Sequence, residues 1–290
     1  MTEVQPGGGG GPTVRRMLVG ARLRRLRIEA SLTREQAGEA LRASEWKIHR
    51  LENGQVSFKD RDVADLLALY GVTDAGEVEA LLAMAREANR RGWWHQYGEL
   101  LPQWFRAYID LESAASLIRT YQGQLVPGLL QTEEYARAVI EGGHAGGSPD
   151  EVERRVALRM ARQALFARSD GRRLWAVVDE AALRRPVGGP EVMRTQIERL
   201  VEASKLRNVT LQVLPVSAGA HPAILGGFSI LRFADQDLPD VVYVEHLTSA
   251  VYLNKPDHVD HYLQAMEMIC RQSGRASRTA DILGEILDGG

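Results

Sequence analysis

Cysteine is almost missing from these 290 residues: Cys270 is the single one. No disulfide can close within the chain, and no CxxC metal pair exists. Cys270 lies in the apolar helical run YLQAMEMIC, which reads as a buried structural thiol rather than a nucleophile. Long apolar runs are missing as well, since none approaches the roughly 18 residues that cross a bilayer. The opening MTEVQPGGGGGPT lacks the charged and apolar regions of a signal peptide, so a cytoplasmic, nucleoid-associated protein without membrane association is expected. GxSxG, a Cys–His pair of familiar spacing and a dinucleotide glycine fingerprint are all absent. No enzyme and no cofactor are therefore expected. The remaining composition, 44% hydrophobic and 26% charged, is that of an ordinary globular chain long enough for about two domains, and no repeat of fixed period appears.

What is present is a charge imbalance. The formal net charge is −2, yet residues 13–61 hold twelve Lys and Arg against six Asp and Glu, while residues 62–290 carry a net −7. A basic N-terminal segment on an acidic remainder suits a polyanion at one end. A solvated arginine-rich face would give the same counts.

Residues 1–12, Gly-rich with two prolines, hold too little apolar surface to order and are expected to form a disordered leader. Residues 13–92 read as five short helices. Thr33 with Gln36 has the capping-box pattern and opens a helix ending near Leu41. Ser44 caps the next, which runs to about Asn53 and stops at Gly54. A fourth, from about Phe58, places Val63, Leu66, Leu67 and Tyr70 on one face. Asp74 with Glu77 caps a fifth that carries Val78, Leu81, Leu82 and Ala85 and is closed by Gly92. The following GWWHQYGELLPQWF is aromatic and aperiodic, and reads as a linker that also packs. Beyond it, helices are predicted at about 132–141, 150–168, 190–204 and 256–273, and strands at LWAVVD, VTLQVLP, FSILRFA and DVVYVEHL. The expected architecture is α+β: a five-helix all-α domain over 13–92, then a larger mixed α/β domain over 93–290.

In LTREQAGEALRASEWKIHRLENG, Ile48 and Leu51 lie three apart and seat one helix face inward, and Asn53-Gly54 suits a sharp exit. The opposite face presents Ser44, Glu45, Trp46, Lys47, His49 and Arg50. Arg50 has the fork to pair with guanine, Glu45 can accept from cytosine N4, and Trp46 can pack on a thymine methyl. Arg34 and Asn53 fit phosphate contacts that set register.

Over roughly residues 18–71 this segment resembles the XRE family of helix-turn-helix regulators, most specifically in HRLENG with Thr33, Ala37, Ile48 and Leu51. The resemblance implies a helix-turn-helix that binds a double-stranded DNA operator in the major groove, usually as a homodimer. It places Glu45, Trp46 and Arg50 nearest the base edges and Lys47 and His49 nearer the backbone. It also implies a structural salt bridge between Arg27 and Glu52. Arg42 departs from the pattern, because many relatives have Gly in that turn, and a positive φ there would carry strain of about 1 kcal/mol.

YQGQLVPGLLQTEEYARAVI, VVDEAALRRPVGGPEVMRTQIERL, and NVTLQVLP followed by GGFSILRF look like the C-terminal domain of WhiJ-like, antitoxin-like regulators of actinobacteria. That implies a regulatory role, such as a repressor's, with a small acidic partner protein encoded nearby. A small-molecule effector bound by the C-terminal domain is the second reading, with Trp93, Trp94 and Trp104 as candidate lining. In the same region Pro127-Gly128 should turn, Thr132 should cap the helix holding Tyr135, and Gly188-Gly189 reads as a tight turn or an anion-binding one. An enzyme with a metal site near His258 and His261, helped by Glu245 and His246, is the rival from another class. A scaffold with a silent helix-turn-helix is a third.

Overall fold

Caps and apolar spacing set the helices of the N-terminal half. The computed structural model describes residues 14–90, 92–143, 147–167, 171–236 and 238–288; the leader expected at residues 1–12 lies outside them. α1 (Val14–Glu29) turns Val19, Leu23 and Leu26 into the core, one stripe at helical spacing. α2 (Arg34–Ala40) opens at Thr33. The Thr33 hydroxyl accepts from the Gln36 amide at 3.2 Å, and the Gln36 side chain accepts from the Thr33 amide at 2.8 Å. Two otherwise orphaned donors are thus satisfied reciprocally. α3 (Glu45–Glu52) opens at Ser44, whose hydroxyl accepts from the Lys47 amide at 3.3 Å. α4 (Asp60–Leu69) follows, and α5 (Ala75–Ala88) opens under Asp74, which accepts from the Glu77 amide at 2.7 Å.

Ala37, Ile48, Leu51, Val63, Leu67 and Ala85 close the core these helices share. Two glycines let backbones meet. A Cβ on Gly20 would stand 2.5 Å from the carbonyl oxygens of Leu51 and Glu52, and one on Gly38 would stand 2.8 Å from that of Ala43. α1 therefore touches the end of α3 without an intervening side chain. The turn between α2 and α3 passes through Arg42 at φ 51°, a left-handed conformation that costs a non-glycine residue roughly 1–2 kcal/mol.

After Gly92 the chain is more regular than the aperiodic linker expected there. A 3-10 segment, Trp93–Leu100, leads to a sixth helix, α6 (Gln103–Ala114), with Ala107, Tyr108, Ile109 and Leu111 buried. Trp94 Nε1 donates to Asp110 Oδ1 at 2.7 Å and Trp93 Nε1 to Ser113 Oγ at 3.1 Å. These indoles are pinned to their own helical unit, and contacts divide the chain between Ala114 and Ala115, whereas the sequence suggests a boundary at 92.

The second unit is a sheet with helices. Its elements are β1 (Leu117–Gln122), α7 (Glu133–Gly143), α8 (Pro149–Ala167), β2 (Arg173–Asp179), α9 (Glu180–Arg184), α10 (Pro190–Ala203), β3 (Val209–Leu214), β4 (Phe228–Arg232), β5 (Val241–Glu245), β6 (Ala250–Leu253), α11 (Pro256–Gln272) and α12 (Thr279–Leu287). The strand order is β3-β2-β1-β4-β5-β6. β1, β2 and β3 pair in parallel, and β4, β5 and β6 continue from β1 antiparallel. The long helical connections from β1 to β2 and from β2 to β3 are what parallel neighbours require, whereas the β4–β6 meander needs only short turns. One sheet face, with Tyr121, Val177, Phe228 and Ile230, packs on Val259, Met266 and Ile269 of α11. Cys270 is half-buried there, and burial pushes its thiol up to about 11. Thr132 caps α7 by accepting from the Tyr135 amide at 3.2 Å, and Gly188 and Gly189 have φ of 71° and 93°, a turn only glycine makes cheaply. The chain is α+β, with β1, β6, α6 and α12 beyond the elements predicted from sequence. Among the described residues no helix is long and apolar enough to cross a membrane.

Candidate nucleic-acid interface

The site grows out of one buried carboxylate. Glu52, at the end of α3, accepts from Arg27 Nε at 2.5 Å, Arg27 Nη2 at 3.1 Å and Arg34 Nε at 3.1 Å. Its side chain is 2% exposed and that of Arg27 is 9%. Arg27 also donates to the Leu32 carbonyl at 2.7 Å, and its hydrogen bond to Glu52 raises its already high pKa. The cluster ties α1, the start of α2 and the end of α3 together. Tyr70 lies in the same field; burial first, and then Glu52, push its phenol up to about 12.

The outer side of α3 divides into tethered and free residues. Lys47 Nζ pairs with Asp62 Oδ2 of α4 at 2.6 Å, so its ammonium is held along the protein surface. Asn53 donates to the His49 carbonyl at 2.7 Å and its amide nitrogen lies 3.3 Å from His49 Nδ1. Burial, with Arg34 adding to it, holds the His49 imidazole below its ordinary value. Ser44 is spent on its capping bond, and Arg34 on Glu52.

Glu45, Trp46 and Arg50 are different. All three are exposed, and Trp46 is 68% exposed with its ring edge-on to His49 at 5.6 Å. Among the described residues no ion pair or side-chain hydrogen bond engages Glu45 or Arg50. A carboxylate, an indole and a guanidinium thus project from one helix face with their bonding capacity unspent, a set able to meet base edges in a groove wide enough for a helix. The Asp62 tether left no trace in the sequence reading, since it joins two helices fifteen residues apart with no local pattern to mark it.

The histidines of the enzyme reading lie elsewhere. His246, His258 and His261 are exposed, with His261 Nδ1 against the Asp257 carbonyl at 2.5 Å. Among the described residues no group of three His, Cys, Asp or Glu side chains stands close enough to hold a metal.

Comparison with known proteins bears on both units. A family model described as "Domain of unknown function (DUF5753)" matches residues 105–285, more than half of the chain. The chain belongs to the DUF5753 family. A second model, described as "Helix-turn-helix domain", matches residues 18–81, the stretch from the body of α1 into α5. No curated protein and no solved structure matches the chain. This DUF5753 protein thus carries a helix-turn-helix domain at its N-terminus, and the eight residues expected to contact DNA and the Arg27–Glu52 pair all lie inside that match.

Proposed function

We propose that this DUF5753 protein is a sequence-specific DNA-binding transcription regulator of the XRE type rather than an enzyme, with α3 as its recognition helix. The observation that carries the reading is the division of α3: its inner side is fixed by Ile48, Leu51 and the Arg27–Glu52 pair, and its outer side offers Glu45, Trp46 and Arg50 uncommitted. One helix reads too few bases for useful specificity, so the regulator acts as a dimer on a pseudo-palindromic operator with half-sites about one helical turn apart. The test is genome-wide mapping of bound sites followed by fluorescence anisotropy on the operator found. A footprint confined to one half-site at saturating protein would refute the dimer, and equal affinity for operator and random duplex would refute sequence-specific reading.

The C-terminal unit serves as the control module. Resemblance to WhiJ-like, antitoxin-like regulators favours a small acidic partner protein encoded nearby, and β6, the last strand of the sheet, offers an edge of the kind that strand addition uses. A controller must bind free and DNA-bound regulator with affinities that differ by the factor it imposes on operator binding. Calorimetric titration of the neighbouring gene product, with and without operator, measures that factor directly; equal affinities would remove it as a controller.

A further inference from the structure

Four arginines crowd one end of the sheet around a cleft of about 270 Å³. The pleat puts them there. In one cross-strand row, Arg232 of β4 and Arg173 of β2 flank Leu117 of β1; in the next row, Arg119 of β1 stands between Ile230 and Trp175, with Thr210 of β3 beyond. Arg207, just ahead of β3, completes the wall, and among the described residues no Asp or Glu lines the cleft.

Guanidinium groups crowded at one end of a sheet repel one another, and a carboxylate partner relieves this. Arg232 has one, donating to both oxygens of Asp240 at 2.7–3.0 Å. Arg119, Arg173 and Arg207 make no ion pair among the described residues. Arg119 is the telling one. Its guanidinium lies 5.8 Å from the centre of the Trp175 ring, and its Nε is buried without an acceptor. A buried, unsatisfied donor on a group that stays charged is costly. Beside Arg119, Trp175 is tied down: its Nε1 donates to Gln212 Oε1 at 2.7 Å, and Gln212 donates in turn to the carbonyls of Cys270 and Gly274 at 3.0 and 2.5 Å.

We infer that this cleft is a binding site for a small organic polyanion, a phosphate or polycarboxylate ester-sized ligand whose charged oxygens take the Arg119, Arg173 and Arg207 guanidinium groups while its body lies against Trp175. Planar guanidinium forks match both oxyanion types. The volume lies just below the range of ligand pockets, about 300 to 1,000 Å³, so a small metabolite fits and a folded segment does not. The assignment does not depend on the DNA-reading role, because binding is measured on the protein alone.

Calorimetry and tryptophan fluorescence on the full-length protein, with inorganic pyrophosphate and citrate as probes at constant ionic strength, test it. Saturable binding of at least one probe is expected; the tighter of the two assigns phosphate or carboxylate chemistry. Arg119→Gln should weaken it about tenfold or more. Arg173→Gln, at an exposed strand start, should do the same should the first variant fold poorly, while Arg194→Gln on α10 should leave it unchanged. Absence of saturable binding by both probes overturns the inference, and so does an equal effect of all three substitutions. Binding of a polyglutamate peptide with neither small anion bound would give the cleft to an acidic protein instead and also overturn it.

Discussion

Replacing Glu52 with Ala tests the keystone of the helical unit. The carboxylate is 2% exposed and accepts three hydrogen bonds from two arginines. Removing it leaves Arg27 charged, nearly buried, and supported among the described residues only by its bond to the Leu32 carbonyl. Arg34, at 32% side-chain exposure, turns to water at little cost, so the penalty belongs to Arg27. Breaking a buried pair from one side costs about 3–5 kcal/mol. A unit of this size has roughly 5–15 kcal/mol in all, so about a fifth or more of its stability goes. Hydrogen exchange followed by mass spectrometry reads this on the intact chain, segment by segment: amides of α1 and α3 should exchange about two to nearly four decades faster at 1.36 kcal/mol per decade. The double variant Arg27→Met with Glu52→Leu should recover most of the loss, since neither charge then remains to be desolvated. A Glu52→Ala loss below about 1 kcal/mol, or a double variant as unstable as the single, would refute the reasoning.

On DNA, Arg50→Ala should cost about 1–3 kcal/mol on operator and relax preference at one base pair, whereas Asp62→Asn should free Lys47, raise affinity for random duplex and steepen the salt slope by about 1; anisotropy against salt measures both, and identical profiles for the two variants would contradict the assignment. Arg42→Gly should stabilise the helical unit by up to about 1 kcal/mol in the exchange assay by relieving the positive φ, and a loss would show that the turn is not strained. The depressed His49 means that the unfolded chain takes its proton more readily than the folded unit. Its contribution is whole above the ordinary histidine value of 6.5 and is lost as pH falls below it toward the folded-state value. The protection of α3 amides, taken relative to their base-catalysed intrinsic rate at each pH, should therefore fall between pH 7.5 and 5.5, and His49→Gln should flatten that trend.

Helix ends were the most legible part of the fold, because a cap is written in two or three neighbouring residues. Thr33 with Gln36, Ser44, and Asp74 with Glu77 announce their helices within single turns. β1, LIRTYQ, was missed because it follows α6 directly and its alternation is broken by Arg119, Thr120 and Gln122. Its identity as a strand comes from partners some 55 and 110 residues away. At four residues, β6 is too short to show a period. The site divides in the same way. Which residues lie on the outside of α3 follows from its 3.6-residue repeat, but the bonds of Lys47 to Asp62 and of Arg34 to Glu52 depend on which side chains two helices bring within reach. The arginine cleft depends on register across three strands, which no local pattern encodes.

The two halves of this chain differ in when they can be finished. The core of the helical unit draws its buried residues from Val19 to Ala88, so every partner is at hand once that stretch has left the ribosome. β1 sits at the centre of the sheet and is incomplete until β4, ending at Arg232, arrives to cover its second edge. At synthesis rates of about 5–20 residues per second, the interval from Ala114 to Arg232 is roughly 6–24 s. During it a nascent chain holds a closed helix-turn-helix and an open sheet.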